Sequence, residues 1–319
     1  MENDTKHGRR DAIRGAVLGA AIGDAMGHPT EFLGSIDAIR ARYGPDGVTG
    51  FALYWGDEGA RFAPYTDDTQ LAEVVLRALL DGRDAGEDHD ATMARMARGI
   101  AAWSVAPVGG HRAPGNACMT GARRIAAGHD WRTAGAPDAG GCGSVMRAYP
   151  FGLLFAGDPA RAEDWAVSHS RMTHRDPIAL AACAAMAASV SSAICGAAVD
   201  ALLEAMHVAA GRHSVTTAAM IARAVDEARA GVGPEVTLDR LRGWAAHEAI
   251  AAAAYVLARH PDDPRRAILE AANTPGDSDS IATLAGALTG ARAGLSALPP
   301  DWVRDVERGA DLAALADRV

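Results

Sequence analysis

An all-α fold is predicted for this chain of 319 residues by three features of its sequence. Hydrophobic residues make up 49% of the chain but aromatic residues only 5%, and small aliphatic side chains suit closely packed helices better than stacked sheets. Apolar residues recur at helical spacing, for example Leu71, Val75 and Leu79. No segment alternates apolar and polar residues over enough positions to predict a strand.

Helical patterns follow one another along almost the whole chain. The predicted helices cover residues 11–23, 36–42, 68–80, 91–103, 116–127, 178–195, 197–210, 214–230, 238–258, 264–272, 280–293 and 302–315. No internal repeat, low-complexity linker or block of like charge divides the chain. We therefore expect a single domain over residues 11–319, preceded by a disordered or poorly ordered N-terminal tail at residues 1–10.

Charge and lysine content exclude several classes of function. The formal net charge is −9, which argues against a general affinity for nucleic acid, because binding to the phosphate backbone requires clustered cations. Lys6, in the N-terminal tail, is the only lysine. A catalytic Schiff base and the lysine of a P-loop nucleotide site are both excluded on that ground.

Compartment and membrane association are also constrained. The four cysteines form no Cys-x-x-Cys pair and are too few for a disulfide framework, so we expect a reducing, cytoplasmic location. Residues 178–199 form an uncharged run long enough to span a bilayer. Because that run consists mainly of Ala, Ser, Cys and Gly, we interpret it as a buried helix and expect no membrane association.

Four glycines recur at a spacing of four in the first predicted helix and just beyond it: Gly15, Gly19, Gly23 and Gly27. Each glycine inside a helix costs up to about 1 kcal/mol relative to alanine, so the run requires a reason. Glycines at this spacing form a groove that a second helix backbone can enter, and close packing is favoured over a direct role in ligand binding.

Two acidic turns, each leading into an apolar helix, are the main candidates for chemistry. The first contains Thr66, Asp67 and Asp68, and the second contains Asp277, Asp279 and Ser280. Helix capping requires only one such residue, so both turns hold more acid than capping explains. Their donors are all oxygens, which favours Mg²⁺ or Mn²⁺ over zinc. An EF-hand is excluded because Ile281 occupies a ligand position of that loop.

Three further segments add polar residues. Glu31 follows the first helix, a glycine-rich segment includes Gly140, Gly141, Gly143 and Ser144, and His174 precedes the long uncharged run. Successive backbone N–H groups of a glycine loop can bind phosphate, although an ordinary tight turn gives the same composition. His174 fits either a structural role or a ligand contact.

Six segments together resemble the ADP-ribosylglycohydrolase family, over about residues 11–295. They read GAVLGAAIGDAMGHPTEF, YTDDTQLA, HRAPGNA, GGCGSVMRAYP, SHSRMTHRDPIAL and GDSDSIATLAGALTGA. The resemblance implies an all-α, single-domain enzyme with two Mg²⁺ (or Mn²⁺) ions in a cleft. By this resemblance Thr66, Asp67, Asp68, Asp277, Asp279 and Ser280 bind metal, and Glu31 and Asp279 are catalytic. Gly140, Gly141, Gly143 and Ser144 would bind the phosphates, and His174 would lie near the ribose.

The chain departs from the family pattern in two places. The second acidic turn reads Pro-Gly-Asp-Ser-Asp-Ser where many relatives have Gly-Gly-Asp-Thr-Asp-Thr, and Ser280 keeps the hydroxyl. Where the family commonly has Gly-Asn-Gly in its glycine loop, this chain has Cys142 between Gly141 and Gly143. The change removes a side-chain amide but leaves the backbone N–H donors, so affinity or leaving-group preference is affected rather than the fold.

The expected function is hydrolysis of the bond between ADP-ribose and an acceptor, most simply arginine on a protein. The substrate would be an ADP-ribosylated protein or small molecule, the product ADP-ribose, and the favoured oligomeric state a monomer. Three alternatives stay open: hydrolysis of serine-linked or small-molecule conjugates, a non-catalytic ADP-ribose-binding or structural protein with the same fold, and a hydrolase of an unrelated phosphorylated metabolite.

Overall fold

Helices form nearly all of the regular structure in the computed structural model, which describes residues 2–55 and 61–319. In these ranges the helices are α1 (Glu2–Gly27), α2 (Ile36–Tyr43), α3 (Asp67–Asp84), α4 (His89–Trp103), α5 (Asn116–Ala126), α6 (Tyr149–Leu154), α7 (Pro159–Ser170), α8 (Pro177–Ala193), α9 (Val199–Gly211), α10 (Val215–Arg229), α11 (Pro234–Arg240), α12 (Ala246–Arg259), α13 (Pro264–Ala272), α14 (Ser278–Ala293), α15 (Pro300–Asp305) and α16 (Gly309–Ala316). Short 3-10 helices lie at His28–Thr30, Cys142–Arg147 and Leu295–Ala297. Two strands, β1 (Tyr54–Trp55) and β2 (Arg61–Phe62), pair antiparallel.

The all-α, single-domain prediction is therefore confirmed. The buried hydrophobic residues form one large cluster that includes side chains from most helices and a small satellite cluster beside α8. Helix α1 begins at Glu2. That residues 1–10 form a poorly ordered tail in solution stays a prediction.

The glycine groove of α1 is confirmed, and its partner is α14. A Cβ atom on Gly19 would overlap the carbonyl oxygen of Gly286, and one on Gly27 would lie 2.5 Å from the carbonyl oxygen of Ser278. Only glycine allows the two backbones to approach this closely, so the helical cost of the glycines is offset by packing. As a result the last turn of α1 lies directly beside the first turn of α14.

Helix α8 is the uncharged run, and it lies in the core, as predicted. Nearly all of its residues are buried, including Cys183 and Met186. Within the described ranges no helix is both long enough and apolar enough to cross a bilayer.

Two helices that were predicted as continuous are each interrupted in the structure. The helix predicted over residues 238–258 is interrupted between α11 and α12, where Gly243 adopts φ +82° and a side chain would crowd Ile281 and Asp277. The helix predicted over 302–315 is interrupted between α15 and α16, where Arg308 has φ +50°. Helices α6 and α7 were not predicted: α6 is short and contains Pro150 and Gly152, and α7 was missed although Asp158 and Pro159 form an ordinary helix start.

Candidate active site

The α1–α14 contact brings Glu31 to the second acidic turn. The hydroxyl of Ser278 donates a hydrogen bond to the carbonyl of Gly27 at 2.9 Å, which joins the two helix ends. The backbone N–H of Phe32 donates to the carbonyl of Gly276 at 3.0 Å, so residues 31 and 276 lie side by side. Carboxylate oxygens of Glu31, Asp277 and Asp279 consequently lie within 4.8 Å of one another.

The first acidic turn is held in place by Asp24, a fully buried residue of α1. One Asp24 oxygen accepts hydrogen bonds from the backbone N–H and hydroxyl of Thr66, at 2.9 and 2.8 Å. The other accepts from the backbone N–H and hydroxyl of Thr69, at 3.0 and 2.6 Å. Asp24 thus fixes the start of α3, and with it the backbone of Asp67 and Asp68.

The two acidic turns meet, as the sequence predicted. The hydroxyl of Ser280 donates to Oδ2 of Asp68 at 2.9 Å, although the two residues are 212 positions apart in the chain. Asp67, Asp68, Asp277 and Asp279 are all buried and all line one cavity of about 420 Å³. Five carboxylates, including Glu31, therefore surround a single space.

Burial and mutual repulsion raise the pKa values of these acids. The pKa of Glu31 rises to about 9, first because of burial and then because of the neighbouring Asp279 carboxylate. Burial followed by the charge of Asp279 also raises the pKa values of Asp67, Asp68 and Asp277 well above the usual range. Burial, and next Asp279, raises the pKa of Asp24 to about 7.

This donor set fits divalent cations. Within the described ranges no ion pair includes one of these carboxylates, and the buried Arg147 lowers the pKa of Asp67 only in part against burial and the neighbouring acids. Carboxylate and hydroxyl oxygens are the ligands of hard cations such as Mg²⁺ and Mn²⁺. Thr66 is placed differently from the others, since its hydroxyl donates to Asp24 and accepts from the N–H of Asp68, and Thr66 does not line the cavity.

Part of the glycine loop also lines the cavity, next to the second acidic turn. Gly141, Cys142 and Gly143 line it, whereas Gly140 and Ser144 lie behind the wall. The hydroxyl of the fully buried Ser144 accepts a hydrogen bond from the hydroxyl of Ser170 at 2.9 Å. Gly140 accepts a backbone bond from Ala246, so these two predicted phosphate-binding residues support the loop from behind.

Cys142, one of the two departures from the family pattern, faces the acidic turns. Its thiol donates a hydrogen bond to Oδ2 of Asp277 and lies 3.5 Å from the hydroxyl of Ser280. Burial, followed by the charges of Asp277 and Asp68, raises the pKa of this thiol well above its usual range. A protonated thiol is therefore present where the family commonly has an amide.

His174 also lines the cavity, in its neutral form. Burial and then the charge of Arg147 lower the pKa of His174 to about 3. The hydroxyl of Thr173 accepts a hydrogen bond from Arg147 at 2.7 Å and lies 2.8 Å from Nδ1 of His174. Since the Thr173 proton is free to bond Nδ1, this arrangement favours a proton on Nε2, next to the glycine loop.

Several residues of the site were missed by sequence reasoning. Asp24 was not among the predicted site residues, and neither were Phe32 and Trp244, although both of these line the cavity. Asn116 and Cys118 line it as well. Their segment, HRAPGNA, contributed to the resemblance without any role being given to its residues.

Comparison with known proteins shows the class of enzyme and the family to which this chain belongs. The all-helical fold with its acidic cavity is that of a glycohydrolase enzyme. The sequence model described as ADP-ribosylglycohydrolase matches residues 5–319, and the chain belongs to this family. ADP-ribosyl hydrolase activity is the activity that this membership supports.

Curated relatives and a solved structure agree with this assignment. The chain is 27% identical over 247 residues to the ADP-ribosyl-[dinitrogen reductase] glycohydrolase of Rhodospirillum rubrum, which covers 76% of this chain and 73% of that protein. It is 30% identical over 184 residues to the ADP-ribosylarginine hydrolase Tri1 of Pseudomonas putida (strain GB-1), covering 57% of this chain and 46% of Tri1. A solved ADP-ribosylglycohydrolase-related protein complex superposes with a TM-score of 0.70 at 27% identity, covering 97% of each chain.

Proposed function

We propose that this enzyme uses two Mg²⁺ or Mn²⁺ ions to hydrolyse the bond between C1″ of an ADP-ribosyl group and an arginine side chain. The observation that carries the proposal is the meeting of the two acidic turns and Glu31 around one buried cavity. An arginine acceptor agrees with the name of the Pseudomonas relative, ADP-ribosylarginine hydrolase.

The ligand set follows from the cavity. The residues that would hold the cations there are Asp67, Asp68, Asp277, Asp279 and Ser280. Thr66, the remaining predicted ligand, would join them by turning its hydroxyl away from Asp24. When bound, divalent cations orient sugar hydroxyls and lower the pKa of a coordinated water toward about 7. The starts of α3 and α14 are hydrogen-bonded to α1, through Asp24 and through the carbonyl of Gly27, so little reorganisation would accompany binding.

Glu31 and Asp279 are the proposed catalytic residues. Their carboxylates lie within 4.8 Å of each other, and Glu31 is only partly buried, so its proton can exchange with water or substrate. As the leaving group departs, positive charge develops on the ribose, and carboxylates at this position stabilise that charge. Glu31 is placed to orient substrate or to transfer a proton, in either direction.

The glycine loop would bind the pyrophosphate. The backbone of Gly141, Cys142 and Gly143 borders the cavity, and Gly140 and Ser144 fix the loop from behind. His174, neutral and with Nε2 close to the loop, would donate to an oxygen of the ribose or phosphate. We further propose that the enzyme acts as a cytoplasmic monomer on ADP-ribosylated protein or small-molecule conjugates, releases ADP-ribose, and binds neither nucleic acid nor membranes.

A peptide-release assay tests the proposal. Two peptides of equal sequence, one with an arginine-linked and one with a serine-linked ADP-ribosyl group, are incubated with the enzyme in Mn²⁺ or in EDTA. We expect ADP-ribose release from the arginine-linked peptide with Mn²⁺ and none in EDTA. Asp37→Asn, an exposed carboxylate change on α2, is the control and should retain full activity. Equal release in EDTA, or release from the serine-linked peptide alone, would contradict the proposal.

A further inference from the structure

A fully buried arginine lies behind the glycine loop. Arg147 is the last residue of the 3-10 helix that begins at Cys142, and its side chain is 0% exposed. Within the described ranges no ion pair includes Arg147. A buried charge without an ionic partner is costly, so hydrogen bonds have to satisfy this guanidinium. The partners of those bonds indicate what the arginine does.

Three neutral side chains accept hydrogen bonds from Arg147. They are Nε2 of His169 at 3.0 Å, Sγ of Cys118 at 3.4 Å and the hydroxyl of Thr173 at 2.7 Å. His169 accepts at Nε2, so its own proton is on Nδ1, which lies 3.0 Å from the carbonyl oxygen of Ala166. Cys118 belongs to α5, His169 to α7 and Thr173 to the turn that follows α7. One guanidinium thus joins the end of the glycine-rich segment to three other parts of the chain.

Thr173 connects Arg147 to His174. Within the described ranges its hydroxyl has two hydrogen-bond partners, the donor Arg147 and Nδ1 of His174 at 2.8 Å. Arg147 can only donate, so Nδ1 is the acceptor that these two partners offer to the Thr173 proton. A ring proton on Nδ1 would leave this buried hydroxyl without an acceptor, which is unfavourable. Arg147 therefore selects, through Thr173, the form of His174 that carries its proton on Nε2.

The Nε2–H group of His174 opens onto the cavity. His174 is 2% exposed and lines the cavity beside the glycine loop, since a Cβ atom on Gly143 would lie 3.4 Å from Nε2 and one on Gly141 would lie 3.6 Å from it. In the part of the chain that the structure describes, no protein atom accepts a hydrogen bond from Nε2. Polar groups this deeply buried almost always have a partner. A ligand oxygen in the cavity would supply it.

We infer that Arg147 and Thr173 are positioning residues that hold His174 with its proton on Nε2, so that the ring donates a hydrogen bond to an acceptor oxygen of bound ADP-ribose and does not serve as a base. This inference rests on the proposed function and adds the two residues that act through His174. Burial, and next the charge of Arg147, lowers the pKa of His174 to about 3, which agrees with a neutral ring. The opposite tautomer would turn a lone pair toward the ligand oxygen and repel it.

The tautomer can be measured directly by NMR. In protein labelled with ¹⁵N-histidine and saturated with Mg²⁺, which is diamagnetic, long-range ¹H–¹⁵N correlations show which ring nitrogen carries the proton. The His174 signals are those lost in His174→Asn. We expect Nε2–H alone in the wild type and in Thr173→Ser, which keeps the hydroxyl. Thr173→Val and Arg147→Lys should each show an additional Nδ1–H form, because valine has no hydroxyl and one ammonium cannot reproduce the fork of the guanidinium. The wild-type tautomer tests the inference even if a variant is unstable.

Binding of ADP-ribose separates positioning from a merely structural role. By calorimetry in Mg²⁺, Thr173→Val should weaken binding by about 3- to 10-fold. His174→Asn keeps an acceptor for Thr173 but lacks Nε2, and should weaken binding by at least about 5-fold. If Thr173 acts through His174, adding Thr173→Val to His174→Asn should cause no further loss. Thr92→Val removes a similarly buried hydroxyl, which donates to the carbonyl of Asp88, and this control should bind ADP-ribose as the wild type does.

ADP, which lacks the distal ribose, shows which oxygen accepts the bond. Equal losses of ADP and ADP-ribose binding in His174→Asn would place the acceptor in the ADP part, and a loss confined to ADP-ribose would place it on the distal ribose; both agree with the inference. None of these measurements requires peptide cleavage. A wild type that cleaves neither peptide but shows the tautomer and the coupling would refute the proposed function and leave the inference intact.

Four results would overturn the inference. The first is a wild-type His174 that carries its proton on Nδ1 or on both nitrogens. The second is an equal loss of ADP-ribose affinity from Thr173→Val with and without His174→Asn, because the threonine would then be structural. The third is an unchanged ADP-ribose affinity in His174→Asn. The fourth is a His174 tautomer unaffected by Arg147→Lys, which would remove Arg147 from the positioning residues.

Discussion

Replacing Asp24 by asparagine is expected to destabilise the protein, and to do so more when cations are bound. In its fully buried position the carboxylate accepts hydrogen bonds from four donors, the backbone N–H and the hydroxyl of both Thr66 and Thr69. Asparagine keeps the volume and one acceptor oxygen but places an NH₂ group against the second pair of donors. The Thr69 hydroxyl can rotate to accept from that group, whereas the backbone N–H of Thr69 cannot.

The size of the effect follows from these contacts. One buried backbone N–H left without an acceptor costs about 1–3 kcal/mol, and loss of the charge on the remaining acceptor costs about 1 kcal/mol more. A total of about 2–4 kcal/mol is therefore expected in saturating Mn²⁺ at pH 8. In EDTA the loss should be smaller, because the substitution also removes repulsion between Asp24 and Asp279.

Guanidinium unfolding with and without Mn²⁺ measures both quantities. Asp37→Asn on the exposed surface is the matched control and should change stability by less than about 0.5 kcal/mol. The same Asp24→Asn protein should bind Mn²⁺ at least about 10-fold more weakly, since the start of α3 is no longer fixed. Equal or greater stability of the variant in saturating Mn²⁺ would refute this interpretation of Asp24.

Four more perturbations have defined outcomes. Asp279→Ala should abolish both Mn²⁺ binding by calorimetry and ADP-ribose release, while retained activity would exclude the proposed ligand set. Mn²⁺ binding at pH 8 should release about one proton or more, because a pKa of about 9 keeps Glu31 protonated until a cation binds. Equal calorimetric heats in buffers of different ionisation enthalpy would contradict this. In EDTA the melting temperature should fall as the pH rises from about 5 to 9. In this range Asp24 and Glu31 keep their protons in the folded protein, whereas the same groups are ionised in the unfolded chain. A melting temperature that rises with pH would contradict this prediction. Gly19→Ala should lower the melting temperature by several degrees, because the new methyl group would overlap the carbonyl of Gly286. Gly34→Ala is the control, since a methyl group there would meet no atom within 4 Å. Equal melting temperatures of the two variants would contradict the close α1–α14 packing.

The central features of the site could be predicted from sequence because their chemistry exceeds what local structure requires. Two adjacent carboxylates at Asp67 and Asp68, and two more at Asp277 and Asp279, are more than a helix start needs. The glycine spacing likewise predicted close packing of the first helix. That α14 is the partner, and that this contact brings Glu31 to Asp279, depends on tertiary structure that one helix pattern does not contain.

Other residues could not be found in this way, for physical reasons. Asp24 acts through Thr66 and Thr69, and nothing in its own segment indicates those contacts. Trp244 was missed because the apolar helical periodicity continues past Gly243 in the sequence. Only the positive φ of Gly243 in the structure shows that the helix is interrupted there. Gly140 and Ser144 were predicted to bind phosphate because they belong to the glycine-rich segment, but neither residue lines the cavity.

The most direct test of the central claim is an anomalous diffraction map of crystals grown with Mn²⁺. Two manganese peaks between the turn of Asp67 and Asp68 and the turn of Asp277 and Asp279 are expected, and both should disappear in Asp279→Ala. A cavity without manganese at saturating concentration, or peaks confined to exposed surface carboxylates, would contradict the account.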